Sequence, residues 1–149
     1  MNQWGEKNSG REVTLTFDDL HAGRHKMGPL PTGYAGFTWS DGAWFMPQHF
    51  AADMCGGRCG LFNAEGKDIT VTSERPFDLK TLSVFTLWQD NAQVIVEGWE
   101  QQVRKHERTL TVRQPFVTAF DLNFGSIDRL TLKAGGTHMV VNPITVSFT

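Results

Sequence analysis

No apolar run in this chain approaches the roughly 18 residues that a membrane-crossing helix needs. Nor does any stretch of useful length repeat its apolar residues at helical spacing. Cysteine is scarce, with only Cys55 and Cys59, in CGGRC. One C-x3-C pair falls short of the four ligands of a structural metal site. Its two glycines allow a local disulfide, and free thiols in a loop are the simpler reading. His21, His25 and His49 add no recognised ligand spacing, because the first two sit in a Gly/Pro loop. An excess of positive charge is also missing. Fourteen Lys and Arg face sixteen Asp and Glu, for a net charge of −2 without a basic cluster. That leaves no electrostatic footprint for nucleic acid, and the basic residues of RKHER at 104–108 read as charge guarding an edge strand. Residues 1–7 carry no apolar signal core, which implies a cytoplasmic chain or one whose leader has been removed. A nucleophile elbow, a phosphate-binding loop and H-E-x-x-H are all lacking. The strand carboxylates Asp18, Glu97 and Asp121 fall on separate strands, not opposed across a cleft as in a sandwich-fold glycosidase. The expectation is a protein that is not an enzyme.

What is present is strand. The chain of 149 residues, 40% apolar and 20% charged, is expected to form one domain with a sizeable core, preceded by a loose lead-in over residues 1–11. Residues 12–18 alternate, with Val13, Leu15 and Phe17 facing one way, and Asp18-Asp19 ends the run. A long loop over 20–33 is punctuated by Gly28-Pro29 and Pro31. The stretch 77–99 predicts a hairpin: β-rich runs at 81–88 and 93–99 flank turn residues Gln89-Asp90-Asn91-Ala92. Its first run is apolar on both faces. Residues 68–73 read as a short strand, broken at Glu74-Arg75-Pro76 before the hairpin. Residues 104–113 suit an edge strand, Gly125-Ser126 reads as a turn, and Pro143 in the last run implies a bulge or an edge. Eight to ten short strands with turn signals predict an all-β fold, an antiparallel two-sheet sandwich of jelly-roll topology, with first and last strands side by side.

Several of these runs also resemble a known family in order and wording. A strand ends in FDD, a Pro-rich loop leads into GYAGFTWS, and FDLKTLSV and VIVEGW follow. FDLNFGSIDRLTL and a last strand MVVNPITVSF close the chain. Together, over about residues 12–148, they resemble the small jelly-roll modules of secreted bacterial and fungal surface proteins, which are similar to carbohydrate-binding modules. The resemblance implies an extracellular location, a glycan partner and a structural calcium held between first and last strands. Asp18, Asp19 and Asn142 are the residues with oxygen to offer it. Asn142-Pro143 stands where such modules usually carry Asp followed by Asp or Asn.

Five tryptophans favour sugar recognition, since an indole stacks on the apolar face of a pyranose while carboxylates and amides take its hydroxyls. Alternation puts Val94 and Val96 toward the core, leaving Ile95, Glu97 and Trp99 on the other face. The expected ligand-binding set is therefore Trp99, Trp88 and Trp44 for stacking, with Glu97 and Asp90 as polar partners. The competing expectation for Trp39, Trp88 and Trp99 is core filling. The functional expectation is a non-catalytic carbohydrate-binding module. The alternative is a structural protein that forms a homo-oligomer through the spare apolar face of residues 81–88.

Overall fold

A computed structural model describes residues 11–23, 26–47, 60–86, 91–113 and 118–148. Ten strands and one short α-helix occupy them, besides two single 3-10 turns at Tyr34–Gly36 and Ala64–Gly66. In chain order these are β1 (Arg11–Leu15), α1 (Asp18–Ala22), β2 (Gly28–Pro29), β3 (Thr38–Trp39), β4 (Ala43–Phe45), β5 (Leu61–Asn63), β6 (Ile69–Thr86), β7 (Asn91–Glu100), β8 (Val103–Arg113), β9 (Thr118–Lys133) and β10 (Met139–Phe148). All pairings are antiparallel, in the order β2-β4-β5-β10-β6-β9-β7-β8, with β1 added to β10 and β3 to β6.

Two long strands turn this ribbon into a sandwich. The first part of β6 (69–72) pairs with β3 and with the last part of β9 (129–132), which continues to β7 and β8. The later part of β6 (77–86) pairs with β10, and through it with β1 and β5. Register shifts between Thr72 and Thr81, opposite left-handed Asn123 and Ser126, mark where both strands change layers. The interior is the alternation of each strand turned inward. Val71, Leu130 and Val96 come from one layer, and Leu15, Ile144, Val146 and Leu79 from the other, all buried.

The all-β sandwich and the pairing of β1 with β10 agree with the sequence reading. The predicted hairpin does not form. β9 lies between β6 and β7, which are adjacent in sequence but not in the sheet, and Asn91 and Ala92, read as turn residues, open β7. The actual hairpin is β7–β8, closed by Gln101 and Gln102, both with positive φ, as a tight primed turn requires. Two predicted breaks are bulges inside long strands. Residues 73–76 are an irregularity in β6, where Ser73 Oγ bonds the Arg75 backbone N–H at 3.1 Å. Gly125-Ser126 lies within β9, the Ser126 amide donating to Asp78 Oδ1 at 2.7 Å. Proline has no amide to donate, and Pro143 accordingly interrupts the pairing of β10 between Val141 and Ile144; the strand is interior, so the bulge reading holds and the edge reading does not. Asp18-Asp19 does not end a strand into open loop but begins α1, entered through left-handed Phe17.

At its described positions the spare apolar face is not exposed, Leu87 and Trp88 lying outside the described residues. Leu82, Ser83, Val84, Phe85 and Thr86 are all buried within the single chain, on both sides of β6. Over residues 82–86, the apolarity that motivated a homo-oligomer is accounted for within one chain.

Candidate binding face

β7 sets the site by strict alternation. Val94, Val96 and Gly98 face the interior, and an ideal Cβ at Gly98 would come within 3.0 Å of Phe124 and Ile127. Ile95, Glu97 and Trp99 therefore stand on the outer face. Directly paired residues of antiparallel strands share a face, so the register extends that face across the layer. Thr131, Glu97 and Glu107 form one rung, and Arg129, Trp99 and Arg104 the next. On the other side of β9, Arg129 pairs with Thr72, and Thr72 with Thr38.

The Glu97 rung is saturated. Glu97 is 4% exposed. Its Oε1 accepts from Thr131 Oγ1 at 2.8 Å and Lys133 Nζ at 3.1 Å, and its Oε2 from Arg104 Nη1 at 3.0 Å. Arg104 also holds Glu107 at 3.0 Å, so one guanidinium bridges two carboxylates that stand opposite each other and would otherwise repel. Burial alone would raise the Glu97 pKa, but the bonds from Thr131, Lys133 and Arg104 outweigh it and hold the group below the usual glutamate value.

The Trp99 rung is not saturated. The Arg129 guanidinium carbon lies 4.5 Å above the Trp99 ring centroid, a cation–π stack on a half-buried indole. Trp99 Nε1 and Arg129 Nε are both buried without a hydrogen-bond partner. No carboxylate pairs with Arg129 among the described residues.

Thr38 and Thr72 continue this rung into a cleft of about 430 Å³. Gly33, Gly36, Ser73, Glu74, Arg75 and Phe148 complete its walls over the ring of Phe37. Arg75 lies 5.3 Å from the centroid of the Phe148 ring, and Phe148 stacks on Phe37 at 5.7 Å. Gly33 and Gly36 both have positive φ with no neighbour where a Cβ would stand, so the loop's conformation, rather than crowding, calls for glycine.

The structure gathers some of the sequence-predicted residues and separates others. Trp99 and Glu97 share the face, but Glu97 already accepts three bonds and leaves a ligand little to reach. Trp44 lies on β4, opposite Phe62 and in the other layer, packed against the core instead of beside Trp99. Trp39 turns inward, its indole N–H donating to the Tyr34 carbonyl at 2.8 Å. Trp88 and Asp90 lie outside the described residues, as do Cys55 and Cys59. Asp18 and Asp19 are exposed on α1, Asp19 accepting from the Tyr34 hydroxyl at 2.5 Å, whereas Asn142 is buried in β10 against Gly60. Burial and that bond together push the Tyr34 pKa upward. Among the described residues no group of three or more His, Cys, Asp or Glu is placed to hold a metal ion.

Arg129, Thr131, Lys133 and Arg104 were not anticipated. A signal existed: in residues 127–133 (IDRLTLK), Leu130 and Leu132 alternate with Arg129, Thr131 and Lys133. The cleft carried none, because its walls come from residues 33–38, 72–75 and 148.

No family model and no curated protein sequence matches the chain. Among solved structures, it is similar to a family 29 carbohydrate-binding module from Piromyces equi. The TM-score is 0.50 at 12% identity, covering 93% of this chain and 92% of that one. A mutant of another family 29 module gives 0.49 at 11% identity, with 92% and 93% covered. A family 32 module from C. perfringens, solved in complex with galactose, gives 0.43 at 10% identity, with 93% and 99% covered. The chain has the β-sandwich fold of a carbohydrate-binding module. At these identities the likeness concerns fold, and the chemistry has to be argued from the face itself.

Proposed function

We propose that this protein is a non-catalytic carbohydrate-binding module that holds a glycan along the rung from Trp99 to the Phe148 cleft. The observation that carries the reading is a half-buried indole on a largely polar sheet face, continuous through Arg129, Thr72 and Thr38 with an aromatic-floored cleft. Sugar recognition needs that mixture: a flat apolar surface for the C–H face of a pyranose, and hydroxyl and guanidinium groups around it for orientation. Five strands from β3 to β8, spaced about 4.8 Å apart, give the rung the length of several linked sugars. Glu97 serves recognition indirectly, by holding Arg104 and Lys133 in place. With that carboxylate saturated, the face carries no free acid pair for hydrolysis among the described residues.

The test is titration of intrinsic tryptophan emission with a panel of soluble neutral and acidic polysaccharides. At least one is expected to shift the emission saturably, and Trp99→Ala to lose the response while keeping its far-ultraviolet circular dichroism. A panel without any response, or full affinity in Trp99→Ala, would overturn the reading.

A further inference from the structure

The stacked pair on this face points to the class of saccharide, an inference that rests on the glycan reading above. The two unmet atoms, Trp99 Nε1 and Arg129 Nε, are both donors, and one belongs to a cation. A buried donor without an acceptor is costly to keep, and each such exception in a native protein calls for an explanation, an external acceptor among them. Among the described residues, the two carboxylates of the neighbouring rung are already taken. Glu97 is consumed by Thr131, Lys133 and Arg104, and Glu107 by Arg104. On this part of the face three cations, Arg104, Arg129 and Lys133, meet two carboxylates, against the sign of the whole chain. The positive charge left over is that of Arg129.

The geometry adds a second reason. Arg129 lies over the indole that a sugar ring would stack on. A neutral sugar must lift it off, losing a contact worth about two- to thirtyfold in an equilibrium constant, and returns nothing to the guanidinium. A sugar bearing an anionic group replaces that contact with a charge-assisted hydrogen bond. We infer that the face takes an acidic saccharide: an anionic substituent draws the Arg129 guanidinium off the Trp99 indole, and the sugar ring packs on the indole surface so uncovered. A uronate carboxylate and a sulfate ester both offer this chemistry.

The experiment compares calorimetric titrations of the wild-type chain, Arg129→Gln and Trp99→Ala against matched polymers. These are polygalacturonate and alginate, the same two after carboxyl reduction to neutral sugars, and dextran sulfate beside dextran. Wild type is expected to bind one anionic polymer at least about tenfold more tightly than its neutral counterpart. The pair that shows the preference tells carboxylate from sulfate. Arg129→Gln should lose the preference yet bind the neutral polymer as well as or better than wild type, because its indole is uncovered. Trp99→Ala should weaken both. A merely structural Arg129 would instead lower the melting temperature and weaken both polymers alike, which overturns the inference. Equal wild-type affinity for native and carboxyl-reduced polymers, and for dextran sulfate and dextran, overturns it too while leaving the glycan reading in place. No binding to any polymer sinks both.

Discussion

Two neighbouring rungs of one sheet, built on the same three strands, are finished to different degrees. On the Glu97 rung every oxygen of a buried carboxylate meets a donor, and the bridging Arg104 also neutralises Glu107. On the Trp99 rung, two residues along β7, a cation rests on an indole and two buried N–H groups meet nothing. Strand order is the same for both, and although the β7–β8 register shifts between Gly98 and Trp99 and the indole is the less buried of the two, the sharper contrast is one of chemistry. A rung complete within the chain stabilises the sheet. A rung left incomplete keeps capacity for something outside it, at some cost in stability.

The comparison can be broken from either side. Glu97→Ala should do the most damage, because it removes three charge-assisted bonds and leaves two cations facing each other. A loss of about 3 kcal/mol is expected, or roughly 10 °C in melting temperature for a chain of this size, read by thermal denaturation. Glu97→Gln carries a pH signature. The folded pKa is depressed, so the carboxylate's stabilisation is fully present above the ordinary glutamate value of 4.5 and fades as pH falls through the lower folded value. The gap between wild type and Glu97→Gln, measured by denaturant titration, should therefore be wide at neutral pH and narrow in acid. A gap that widens in acid would contradict the saturated rung.

Gly98→Ala tests what supports the face from behind. A Cβ there meets Phe124 and Ile127 at 3.0 Å, so β7 or those side chains must move, at a cost of about 2 kcal/mol in a denaturant melt. Trp99→Ala works in the opposite sense to Glu97→Ala. Glycan affinity should fall about tenfold, roughly 1.4 kcal/mol, with a smaller change in stability. If Trp99→Ala costs as much stability as Glu97→Ala, the two rungs do not differ in kind. The smallest effect belongs to Glu107→Gln, at the exposed end of the saturated rung, where the melting temperature should move by no more than about 2 °C and less still in high salt.

Alternation made part of this visible in the sequence. It assigned Val94 and Val96 to the interior and Glu97 and Trp99 to the outside, and it identified β8 as an edge strand and β1 as the companion of β10. It misplaced connections. Glu74-Arg75-Pro76 and Gly125-Ser126 carry turn chemistry yet are bulges, because a long strand that crosses between layers needs the same irregular backbone as a turn. It also put Trp44 beside Trp99, since proximity between non-consecutive strands has no local signature.

Composition and two-residue periodicity were enough for an all-β sandwich and for which side of each strand meets water, because both follow from side-chain hydrophobicity read along one strand. The partners of each outward residue were settled only by folding. Arg129 covers Trp99 and Lys133 reaches Glu97 because β9, not β6, pairs with β7. That choice of neighbour is made by packing across the whole interior, and no local stretch of the chain encodes it.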